Sequence, residues 1–163
     1  MSYNQIDFSK KLIKGKIAET LFEQMLREAG CFTILAFGYE SVLPELAQRQ
    51  HDMHAKETME IIRRAPDFAI INNETHDVHL IEVKYMMNPK TEWILCDAKK
   101  IYDSWKPSYL FLATPKGFFF DKAKTIVDNN GLISPFNHPQ IPKELQDKYT
   151  ALLNEFIVVE SND

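Results

Sequence analysis

Three charged residues stand where strand-forming sequence has little use for charge. Asp67 follows a proline in PDFAII (66–71), and Glu82 and Lys84 alternate with apolar residues in VHLIEVKY (78–85). Charged side chains are rarely buried unless they are paired or bound to metal. Successive strand residues point to opposite faces, so Glu82 and Lys84 share a face while Ile81 and Val83 turn to the other. If the two strands form a hairpin, Asp67 comes to lie beside them. Two carboxylates held together repel, which makes a divalent cation the natural third party. Oxygen ligands of this kind suit Mg²⁺ or Mn²⁺, which keep several waters and take further ligands from phosphate, with the Val83 carbonyl as one more oxygen. Beside such an ion, Lys84 can hold or deprotonate an attacking water, or neutralise charge building on phosphorus. The set is equipped for metal-assisted phosphodiester hydrolysis.

The elements that must hold these residues can be read on either side of them. Ser9 is placed to cap a helix running to about Ala29, with Gly30 as its stop. Ile13, Ile17, Ala18, Leu21, Phe22, Met25 and Ala29 form its core side at helical spacing. Glu19 lies off that stripe, one turn from Gly15 and one from Glu23. A helical glycine costs about 1 kcal/mol against alanine, so Gly15 suggests close approach of another backbone or a phosphate. CFTILAFGY (31–39) has strand composition, and residues 44–63 form a highly polar segment of helical character opened by Pro44. The cluster NNETHD joins PDFAII to VHLIEVKY as a hairpin turn. Thr91 can cap a helix from Glu92 to about Trp105, and SYLFLAT (108–114) is the next strand. Beyond it the reading is helical: a short helix capped by Asp121, then an amphipathic helix after Pro142 carrying Leu145, Tyr149, Leu152, Leu153 and Phe156.

KGKIAE, PDFAII and IEVK in that order resemble the PD-(D/E)xK nuclease superfamily, most closely its archaeal Holliday-junction-resolvase-like members. The resemblance covers about residues 9–114. It implies a restriction-endonuclease-like αβββαβ core, an α/β fold in which a small mixed sheet is flanked by helices, followed here by extra C-terminal helices. It further implies that Asp67 and Glu82 ligate metal, that Lys84 is catalytic, and that Glu19 completes the metal site directly or through water. The polar segment 42–64 takes the place of a short Gly/Ser-rich loop in those relatives.

With 163 residues, no repeat and no low-complexity linker, the expectation is one domain over 1–163, with a polar insertion at 42–64 and a helical extension at 121–160. Formal charge is −4, so nucleic-acid affinity would have to come from local patches. The candidates are Lys14 and Lys16 within KKLIKGK, Arg63 with Arg64, and Lys99 with Lys100. No apolar run suits a signal peptide or a membrane span, and Cys31 and Cys96 read as reduced core or near-core thiols of a cytoplasmic protein. His51, His54 and Glu57 have helical spacing but no second ligand cluster, and read as a solvated helix. Trp93, Trp105 and Phe118–Phe120 read as core more readily than as base-stacking residues. The function expected is a Mg²⁺- or Mn²⁺-dependent endonuclease acting on DNA, with branched or structured DNA and a homodimer both left open. Against it stand a non-catalytic module of the same fold, binding nucleic acid or a protein, and an interaction protein using segment 42–64.

Overall fold

A computed structural model describes residues 3–38 and 56–158. Helix α1 (Tyr3–Ala29) is followed by β1 (Phe32–Ala36), α2 (Lys56–Arg63), β2 (Phe68–Asn72), β3 (Val78–Tyr85) and α3 (Thr91–Ser104). Then come β4 (Tyr109–Thr114), β5 (Gly117–Lys122), α4 (Ala123–Asp128) and α5 (Lys143–Val158). The five strands form one mixed sheet in sequential order, flanked by helices on both faces. β2 is antiparallel to both of its neighbours, β1 and β3, and β5 is antiparallel to β4. β4 runs parallel to β3 because α3 carries the chain back between them.

Alternation along each strand feeds two cores. Phe68, Ile70, Ile81, Val83 and Phe111 meet α1 and α5 on one face. Leu110 and Leu112 meet α3 and α4 on the other. α1 contributes Ala18, Leu21, Phe22, Met25 and Leu26, all buried, and stops at Gly30. There φ is +76°, and the Gly30 amide bonds back to the Leu26 and Arg27 carbonyls. The β2–β3 turn is held by Asn72, whose Oδ1 accepts from the Glu74 amide at 2.9 Å, with His76 at φ +62°.

Several expectations are corrected. α1 begins at Tyr3, so Ser9 is no cap; its hydroxyl donates to the Gln5 carbonyl inside the helix. Thr91 is helical, and Lys90 occupies the cap position without a side-chain bond. Residues 117–122 form a fifth strand, which local reading misses because GFFFDK shows no alternation; it pairs with β4 and bridges to Pro135 on its other edge. Asp121 therefore sits in that strand, where its Oδ2 accepts from the Ser134 amide at 2.6 Å and ties segment 129–142 to β5. Ile13 and Phe156 are exposed, and so are Trp93 and Cys96. Phe118 is buried, and Phe119 and Phe120 pack against the cores as expected. The final helix runs as expected after Pro142. Of the polar segment, Pro44, His51 and His54 lie outside the described residues. Its end forms α2, anchored by buried Met59 and by the Trp105 indole N–H donating to the Ile61 carbonyl at 3.0 Å. Among the described residues, no helix is long and apolar enough to cross a membrane.

Candidate active site

Asp67 sits at the entrance to β2, directly after buried Pro66. Its main-chain oxygen accepts from the Phe37 and Gly38 amides at 2.8 and 3.0 Å, so the end of β1 clamps its backbone. Its carboxylate is held from the other side, where the Val83 amide donates to Oδ2 at 2.8 Å. In an extended strand the N–H and C=O of one residue leave on the same side, so the Val83 carbonyl faces the same edge as Asp67. Gly38 lies close to the carboxylate: a Cβ there would make ordinary van der Waals contact, 3.5 Å from the Asp67 Cα and 3.8 Å from Oδ1.

Glu82 follows from the β3 alternation, flanked by buried Ile81 and Val83. Glu82 and Lys84 lie in register with Leu110 and Leu112, the residues on β4 that α3 and α4 cover. The Lys84 ammonium lies on Glu82 Oε1 at 2.5 Å. Glu19 comes from α1 across the end of the sheet and pairs with Lys16 at 2.8 Å. Glu19, Asp67 and Glu82 line one open cleft of about 670 Å³. Lys16, Glu23 and Arg63 line it too.

Charge in this cleft is unbalanced. Burial pushes the Asp67 carboxyl up to about 7, and the Glu82 and Glu19 charges push the same way against the Val83 amide and Lys84. Burial pulls the Lys84 ammonium down, but the charge and hydrogen bond of Glu82, with Asp67 and Asp97, outweigh it and hold Lys84 above its ordinary value. Lys84 is therefore an ammonium at neutral pH, a donor and not a base. Among the described residues, no group of three or more His, Cys, Asp or Glu side chains is close enough to hold a metal unaided.

Of the residues singled out by sequence, Glu19, Asp67 and Glu82 share the cleft with Lys16 and Arg63, and Lys84 adjoins through Glu82. Arg64, Lys99 and Lys100 are exposed but do not line it, and Lys100 faces Asp97 at 3.5 Å. Lys14 is half-buried on α1 outside the cleft lining. No backbone approaches Gly15; a Cβ there would meet nothing within 4 Å. Glu23 and Gly38 were missed as site residues. Glu23 had a signal in its spacing of four from Glu19, whereas Gly38 acquires its role only when β1 pairs with β2.

No protein-family model, no curated protein and no solved structure matches this chain.

Proposed function

We propose that this protein is a metal-dependent endonuclease that hydrolyses phosphodiester bonds of DNA, with a restriction-endonuclease-like core of the PD-(D/E)xK type. The observation that carries the reading is the convergence of Asp67, Glu82 and Glu19 on one open cleft, with Asp67 pushed up to about 7 by burial and by its carboxylate neighbours. A donor set with such excess negative charge suits a hard divalent cation. Mg²⁺ or Mn²⁺ would be held by Asp67, Glu82 and the Val83 carbonyl, with Glu19 directly or through water. When bound, it would activate water and polarise the phosphoryl oxygens. The element order supports the same reading, because an antiparallel β1–β2–β3 meander followed by a helix and a parallel β4 is what an αβββαβ core requires.

The chain's own groups have separable tasks. The Val83 amide orients the Asp67 carboxylate, and the Phe37 and Gly38 amides fix its backbone. Lys84, as an ammonium, donates to the attacking water or to the phosphoryl oxygen on which charge builds. Arg63, on the cleft wall, pairs through Nη1 with Glu60 at 3.0 Å and has further guanidinium donors for a phosphate. Attack of water on phosphorus forms one P–O bond and breaks another; the attacking water releases a proton to solvent, and the leaving oxygen takes one from solvent. One observation favours a non-catalytic nucleic-acid- or protein-binding module instead. It is the lack, among the described residues, of three grouped metal-ligating side chains.

Calorimetry with Mn²⁺ separates the two. Asp67→Asn and Glu82→Gln should each weaken Mn²⁺ binding at least tenfold. Lys84→Met frees Glu82 from its ion pair and should bind Mn²⁺ at least as tightly, yet cut DNA at less than a hundredth of the unmodified rate. Lack of Mn²⁺ binding at millimolar concentration, or undiminished cutting by Lys84→Met, would sink the nuclease reading.

A further inference from the structure

On the α1 side of the sheet, toward the turn end of the β2–β3 hairpin, two half-buried imidazoles share one small cavity. His79 comes from β3 and His138 from the segment between α4 and α5, and the cavity they line measures about 80 Å³. Asn72 lines it as well, and the rest of its wall is apolar. Residues 138–141 form a tight turn at this wall. The Ile141 amide donates to the His138 carbonyl at 3.0 Å, and the Gln140 amide donates to His138 Nδ1 at 3.2 Å. Phe136 and Ile141, both buried, anchor the turn on either side. From β2, Asn72 Nδ2 donates to Gln140 Oε1 at 2.9 Å.

An imidazole nitrogen accepts a hydrogen bond only while it carries no proton. The Gln140 amide therefore fixes His138 as the neutral form with its proton on Nε2. A proton on Nδ1 would set N–H against N–H and would put a cation at the wall of an apolar cavity. Both effects act against the closed turn. α1, β1, β2 and β5 present no titratable side chain to the cavity, and β3 presents His79. β4 adds the Tyr109 ring, 4.7 Å from His79. Burial disfavours the cation at both imidazoles, and the charge of His79 disfavours it further at His138. Asp77 on the hairpin turn favours the His79 cation, and Lys122 on β5 opposes it. Among the described residues, no carboxylate offsets the charge on His138.

We infer that turn 138–141 is an acid-released latch: the neutral His138 imidazole holds it against the β2–β3 hairpin, and a proton on Nδ1 frees it and opens the apolar cavity beneath. The Asn72–Gln140 bond is lost with the turn. Opening stops at Phe136, whose amide donates to the Phe118 carbonyl, and at Ser134, whose carbonyl accepts from the Phe120 amide. Asp67 lies at the opposite end of β2 and keeps its bonds to the end of β1 and to the Val83 amide. The latch therefore stands apart from the nuclease reading.

The test is hydrogen exchange of the Gln140 amide, read by NMR at pH 7.5 and pH 5.5 and corrected for intrinsic exchange. Protection should fall by about five- to tenfold between them, for an imidazole that titrates near 6.5 when released and lower when latched. Nitrogen-15 shifts of His138 should show the Nε2–H tautomer at pH 7.5. His138→Asn puts an amide oxygen where Nδ1 stands, an acceptor that does not titrate, so protection of Gln140 should be equal at both pH values. His79→Gln removes the neighbouring charge and should leave part of the fall, since Nδ1 still loses its bond. Protection that ignores pH in the unmodified protein overturns the latch, and so does an Nδ1–H tautomer at pH 7.5. A fall in His138→Asn as large as in the unmodified protein overturns it, as does a fall that His79→Gln alone abolishes, for the sensor would then be His79. An equal loss of protection at Gln140 and at the β4 amides also overturns it, because the opening would then be global.

Discussion

Asp67 is the residue on which stability and site chemistry pull against each other. Its carboxyl titrates near 7 in the folded protein, through burial and then the Glu82 and Glu19 charges, against about 4 in the unfolded chain. Between those values the native state holds a proton that the unfolded state has lost. Stability contributed by protonated Asp67 is thus fully present below about pH 4 and is lost as pH rises through about 7. Asp67→Asn removes that loss. The variant should be more stable than the unmodified protein at pH 8, by about 1–3 kcal/mol, and the gap should close toward pH 4. Urea unfolding at both pH values checks this, and a gap that widens on acidification would contradict it. Glu19 belongs to the same cluster from a more solvated position, 23 % exposed and paired with Lys16. Glu19→Gln should leave melting unchanged or slightly raised and increase the Mn²⁺ needed for half-maximal cutting. An unaltered Mn²⁺ requirement would return Glu19 to an ordinary helix-surface carboxylate.

Among the elements, the β2–β3 hairpin carries the site, and its turn is tied to the far end of the chain. Buried Asn72 accepts from the Glu74 amide and donates Nδ2 to Gln140 Oε1 at 2.9 Å, so one side chain closes the turn and pins segment 129–142. Asn72→Ala removes hydrogen bonds to the exposed Glu74 amide and the half-buried Gln140 side chain and should cost about 0.5–1.5 kcal/mol. The m-value should be unchanged in urea, and a loss below 0.5 kcal/mol would show that water replaces the amide without penalty. In the same segment His138 lies edge-on to Phe32 at 5.4 Å, and His79 of β3 lies edge-on to Tyr109 at 4.7 Å. Burial lowers both imidazoles, with Lys122 acting on His79 in the same sense against Asp77, and His79 adding to the effect on His138. Groups lowered in the folded state contribute stability that is present above the unfolded value of about 6.5 and is lost as pH falls below it. His138→Phe should therefore lose less stability than the unmodified protein between pH 7 and pH 5, as thermal melts at those two values would show.

Across the whole molecule, β4 joins the two cores. Phe111 faces the α1 side, with its ring 4.5 Å from Phe22, 5.1 Å from Phe118 and 5.4 Å from Phe136. Its neighbours Leu110 and Leu112, both fully buried, face α3 and α4. A strand packed on both faces transmits the loss of either layer to the other. Phe111→Ala should cost about 3–5 kcal/mol, and near- and far-ultraviolet circular dichroism should still report one coincident unfolding transition. Two separated transitions would mean that the layers unfold independently and that the chain is not a single folding unit.

What local sequence settles is whatever local periodicity controls. Alternation of period two in VHLIEVKY set Ile81 and Val83 inward and Glu82 and Lys84 on the other face, and the turn chemistry of NNETHD made the hairpin. The buried stripe from Ala18 to Leu26 followed in the same way from helical spacing. Long-range packing decided the rest. Ile13 and Phe156 repeat the core period yet stay exposed, because how much of α1 is covered depends on where α5 ends against it. GFFFDK carries no period of its own and becomes a strand by pairing with β4 and bridging to Pro135. Nor does any local pattern bring Glu19, Asp67 and Glu82 to one cleft, since they lie on α1, at the entrance to β2 and on β3. Their proximity is a property of the packed sheet and helix, and so is the raised carboxyl of Asp67, because burial and neighbouring charge exist only once the chain has folded.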